Sequence, residues 1–126
     1  LMNNPAATVS GGPRPRIGAL PGADISNLPI LLTECGGIGY KAGNLEGDEF
    51  AYGELPENEA DLLARFEKVA KIIADADQLC GFVWTQLTDV QQEVNGVLYF
   101  DRSPKLPIKT IRQIMQSAGT NNTTQQ

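Results

Sequence analysis

Glu34 closes a short apolar run, Leu28-Pro29-Ile30-Leu31-Leu32-Thr33, and is followed at once by Cys35-Gly36-Gly37. A carboxylate at the end of such a run, next to glycines that let backbone and ligand approach closely, is placed for nucleophilic or acid/base work. Trp84 holds the equivalent place in a second run, Gly81-Phe82-Val83-Trp84-Thr85-Gln86. The chain has no histidine and two cysteines, Cys35 and Cys80, so His-dependent base chemistry and His-containing metal sites are excluded and a structural zinc site is not expected. Any chemistry must run on carboxylates, hydroxyls, amides or aromatics. Spacing alone leaves Glu34 open between a solvated strand-end charge and a catalytic carboxylate, and Trp84 open between core packing and ligand stacking.

The elements that must carry these residues are legible in the pattern. Leu28 to Thr33 and Leu79 to Leu87 read as strands, continuously apolar in the manner of strands covered on both faces. Between them a Gly-rich, acidic loop runs from Gly36 to about Pro56. A helix is then predicted from Glu57 to Asp77, where Leu62, Leu63, Phe66, Val69, Ala70 and Ile73 share one face and Asn58 is the N-cap candidate. After the second strand comes a polar loop, Thr88 to Asn95, with a short extended piece over Gly96 to Arg102. Pro107 opens a second helix, whose buried stripe is Ile108, Ile111, Ile114 and Met115. The order βαβα implies parallel strands joined by a crossover, and ligands of such folds gather at the C-terminal strand ends.

Residues 1–27 form a loop-rich segment; Pro5, Pro13, Pro15 and Pro21 interrupt it and no period is sustained. Residues 28–118 are the structured portion, and residues 119–126 (Gly-Thr-Asn-Asn-Thr-Thr-Gln-Gln) have nothing to bury and are expected to be disordered. With 126 residues, 41% hydrophobic content and a net charge of −5, the composition is that of an ordinary globular chain. The ten Lys and Arg are scattered, which argues against nucleic-acid and anionic-membrane partners. No apolar stretch approaches the roughly 20 residues that span a bilayer, and Leu1-Met2-Asn3-Asn4-Pro5 lacks the features of a signal peptide.

Three stretches carry a family resemblance. Pro29-Ile30-Leu31-Leu32-Thr33-Glu34-Cys35-Gly36-Gly37-Ile38-Gly39-Tyr40 is similar to the nucleophile region of family 2 glycoside hydrolases. The segment from Gly81 to Gly96 resembles the last strand and loop of the β-galactosidase and β-glucuronidase-like members. Asp101-Arg102-Ser103-Pro104-Lys105 looks like their Asp-Arg-x-Pro-Lys signature. The resemblance implies an α/β fold, a fragment of a (β/α)8 TIM barrel comprising its seventh and eighth βα units and incomplete as an independent domain. The expected structural partners are the remainder of the barrel and N-terminal β domains.

The same resemblance implies that Glu34 is the nucleophile of a retaining β-glycosidase and that Trp84 is the aromatic wall beside the sugar. Asn95 and Asp89, together with Gln86, are the polar candidates for substrate contact at the rim, with a purely structural loop role open beside it. A retaining mechanism needs two carboxylates about 5–5.5 Å apart, one to attack and one, held protonated by its environment, to protonate the leaving oxygen. The acid/base Glu of the family follows an Asn that has no counterpart here, so it is expected outside this chain and the chain alone is expected to be inactive. No cofactor and no metal are implied.

Two departures bear on this expectation. Cys35 stands where the family has an aromatic residue. Glu93-Val94-Asn95 stands where glucuronidases carry Asn-x-Lys, so a neutral, galactose-like sugar is the expected substrate. Two competing readings are a non-catalytic carbohydrate-binding or degenerate barrel protein, and a free-standing interaction domain. Cys35 at a strand's end and Cys80 near a strand's start are expected to be too far apart for a disulfide, which needs Cα atoms within about 7 Å, and free thiols suit a cytoplasmic protein.

Overall fold

In the computed structural model, the described residues are 22–43 and 47–120, together with two short strands, β1 (Thr8–Val9) and β2 (Arg16–Ile17), which pair antiparallel. Then follow β3 (Ile30–Gly36), α1 (Glu59–Ala74), β4 (Leu79–Thr85) and α2 (Ile108–Thr120). Most of the loop-rich N-terminal segment lies outside the described residues, as does the expected tail from residue 121 onward. Gly119 and Thr120 belong to the last turn of α2 rather than to that tail.

α1 forms where the 3.6-residue period is strongest. Asn58 caps it in an extended conformation, its side chain accepting from the Asp61 backbone N–H at 3.0 Å. Asp61 accepts in turn from the Glu57 N–H and pairs with Arg65 one turn later, and Arg65 also donates to the Glu54 and Leu55 carbonyls. The helix start is thereby tied to the loop that precedes it. Leu62, Phe66, Ala70 and Ile73 are its buried face.

β3 and β4 pair in parallel, as their apolar runs suggest, with Ile30 opposite Leu79 and Gly36 opposite Thr85. α1 covers one face of this sheet: Ile73, Ala76 and Leu79 form a core to which Ile30, Leu32, Phe82 and Val69 add partly buried surface. A second core joins Leu62 and Phe66 of α1 to Ile111 of α2, with Tyr40 and Leu106 from the loops. Trp84 packs against both cores.

The expected architecture, the seventh and eighth units of a (β/α)8 barrel, is not the one adopted. The long strands form a two-stranded sheet, β1 and β2 form a separate pair, and α2 packs against α1 rather than over further strands. The strands expected to be covered on both faces are covered on one; on the other, Leu31 is 54% exposed and Val83 50% exposed. The physical reason is one of supply. A parallel pair needs one crossover helix, that helix covers one face, and an apolar run satisfies such a half-covered strand as readily as a buried one.

Phe66 lies at the junction of the two helices and the sheet, its ring 4.4 Å from that of Trp84. Phe66→Ala is predicted to cost about 3–5 kcal/mol of unfolding free energy, measured by urea denaturation followed through the single Trp; a loss under about 1 kcal/mol would contradict this packing.

Candidate functional site

The register of β3 against β4 decides where Glu34 points. From Leu32 to Cys35 is three steps on β3, whereas their partners Phe82 and Trp84 are two steps apart on β4. An opposite shift between Ile30 and Leu31 restores the count by Gly36. Regular alternation from Leu32 would turn Glu34 toward the helix layer. The extra residue lets Leu32 and Cys35 both face the core while Thr33 and Glu34 both lie exposed. The Glu34 carboxylate has no hydrogen-bond or ion-pair partner among the described residues.

Glu34 lines an open cleft of about 190 Å³ together with Cys35, Gly36, Gly37, Tyr52 and Thr85. Gly36 adopts φ +94°, and a Cβ there would fall 2.5 Å from the Trp84 indole, so the indole lies flush against bare backbone under the cleft. The Gly37 N–H donates to the Thr85 carbonyl and ties the two strand ends together. The Cys35 thiol donates to the Val83 carbonyl at 3.3 Å, and burial raises its pKa. Burial thus disfavours the thiolate form of Cys35. Both cysteines are free, Cys80 donating to the Ile30 carbonyl near the opposite end of the sheet.

The residues singled out from sequence divide between the cleft and the interior. Glu34 and Trp84 lie at the same end of the parallel pair, with Cys35 opposite Trp84. The Trp84 ring, however, is committed to Phe66 and the core, and Trp84 is not among the residues that line the cleft. Asn95, 1% exposed, accepts from the Tyr52 N–H at 3.3 Å and donates to Glu93 at 3.1 Å. Asp89 is buried, 2.7 Å from Lys105 and accepting from the Gly96 N–H at the same distance. Asn95 and Asp89 brace loops rather than face the cleft, and the Gln86 amide nitrogen is buried without a partner among the described residues.

The sequence reading missed Tyr52 and the purpose of Lys105. Phe50 pairs its backbone with Gln92 and Val94, while Tyr52 forms a bridge with Ile38, so the segment 50–52 is wedged between the loops that follow the two strands. The signal available was Phe50-Ala51-Tyr52: two aromatics two residues apart put both rings on one side of an extended segment. Lys105, the last residue of the Asp-Arg-Ser-Pro-Lys stretch, donates to Asp89 and to the Val94 carbonyl at 2.9 Å and sits 5.3 Å from the Tyr99 ring centre. Burial lowers its pKa and the Asp89 contact opposes that shift.

Among the described residues no cluster of acidic or thiol side chains could hold a metal ion, and no helix is long and apolar enough to cross a membrane. Removing one member of the Asp89–Lys105 pair strands a buried charge. Asp89→Ala is predicted to cost about 3–5 kcal/mol in chemical denaturation, and Asp89→Leu combined with Lys105→Met to recover most of it; a single variant as stable as the parent would show that the pair is not buried. Comparison of the chain with protein-family models and with curated proteins finds no match.

Proposed function

We propose that this chain supplies the nucleophile side of a retaining β-glycosidase site, with Glu34 attacking the anomeric carbon of a neutral, galactose-like β-linked sugar. The observation that carries this reading is the unpartnered Glu34 carboxylate, turned outward at the C-terminal end of a parallel strand into a cleft floored by glycine backbone. Attack forms a glycosyl ester on Glu34 and breaks the bond to the leaving oxygen, which takes a proton from a second carboxyl group. Water, deprotonated by that same group, then cleaves the ester and restores Glu34. This reading takes the second carboxyl group from outside this chain. No Lys or Arg is among the described residues lining the cleft, so a sugar carboxylate meets no cation from them, which favours a neutral sugar over a glucuronide.

One observation favours a second reading for the chain taken alone. Glu34 is the sole carboxylate among the described residues lining its cleft, and one carboxylate can hold a sugar without turning it over. Kinetics separate the two. In the intact protein carrying this chain, Glu34→Gln should lower kcat/KM for an aryl β-galactoside on the order of 10⁴-fold or more, the scale of losing a covalent nucleophile. Unchanged turnover would remove Glu34 from the mechanism, and sugar binding with no turnover in the parent protein would establish the second reading.

A further inference from the structure

We infer that Tyr52 is the aromatic platform on which the sugar lies beside Glu34. This rests on the reading of Glu34 as the nucleophile and names the residue that positions its substrate. A pyranose presents a face of C–H bonds as well as hydroxyls, and a site for one pairs an aromatic ring with a few convergent polar groups. Of the described residues lining the Glu34 cleft, Tyr52 alone has a ring to offer. Tyr52 is 60% exposed, which leaves its side chain accessible to a ligand.

The ring is also held in place rather than left to swing. It meets Phe50 edge to face, with centres 6.1 Å apart and planes at 86°. Gly37 offers it bare backbone; a Cβ there would stand 3.4 Å from the Tyr52 ring, in ordinary contact. The Tyr52 N–H is fixed by Asn95, and Asn95 is oriented by Glu93. With its backbone bonded to Asn95 and its edge against Phe50, the ring has less freedom to lose when a ligand stacks on it. Trp84 cannot fill this place, because turning its indole outward would abandon both cores.

The test uses the intact protein and a 2-deoxy-2-fluoro-β-galactoside with a dinitrophenyl leaving group, which reacts with a glycosidase nucleophile and leaves it esterified. With Tyr52→Ala, the inactivator concentration giving half-maximal rate should rise about 10- to 100-fold, while the rate at saturation stays within about 3-fold of the parent. Tyr52→Phe should keep the parent's value to within about 3-fold if the ring face is what binds. Tyr52 is exposed, so both variants should fold, and circular dichroism checks this. Esterified Glu34 in the parent with an unchanged half-saturating inactivator concentration in Tyr52→Ala would overturn the role of Tyr52 alone. No ester on Glu34 in the parent would overturn the nucleophile assignment and the platform with it.

Discussion

The parallel pairing of β3 with β4 is the constraint on which the rest of the molecule depends. Two strands running the same way must be joined by a long crossover, and α1 is that crossover; its apolar face then has one sheet face to cover and covers it. The same pairing brings the C-terminal ends of both strands together. The Gly37 N–H can therefore bond across to the Thr85 carbonyl, and the loops that follow each strand meet. Had the strands run antiparallel, Glu34 and the loop after Trp84 would stand at opposite ends of the sheet and no shared cleft would form.

Within that frame, small departures from regularity do the positioning. A single extra residue on β3 between Leu32 and Cys35 turns Glu34 to the exposed side while keeping Cys35 against the core. The polar residues of the long connection after β4 then hold the cleft's far wall from behind. Asn95 fixes the backbone of Tyr52, and Asp89, neutralised by Lys105, anchors the Gly96 turn from which Asn95 hangs. Asp89 and Asn95 are thus satisfied inside the protein, and their service to the site is indirect.

The sequence made part of this legible. The α1 period, its Asn58 cap, the parallel order and the placement of Glu34 and Trp84 at one end follow from local signals, because caps and 3.6-residue stripes are written into neighbouring residues. Three things were not. An apolar run does not say whether one face or both will be covered, and Leu31 and Val83 prove exposed. A register shift depends on the partner strand, so nothing near Thr33 announces it. The Asp89–Lys105 pair and the Tyr52–Asn95 contact join residues 16 and 43 positions apart, distances at which spacing carries no information. Polar loop residues that look free to meet a ligand can therefore be occupied with one another.

The central claim is that the Glu34 carboxylate, and no other group, forms the bond to the sugar. It is tested most directly by the stereochemistry of rescue. Replacing Glu34 by Ala in the intact protein opens the space its carboxylate fills, and azide ions added with an aryl β-galactoside can enter it. The account predicts that Glu34→Ala is inactive and that azide restores turnover, giving the α-galactosyl azide by inversion from the nucleophile's side. Formation of the β-azide, or turnover by Glu34→Ala without azide at the parent's rate, would contradict it.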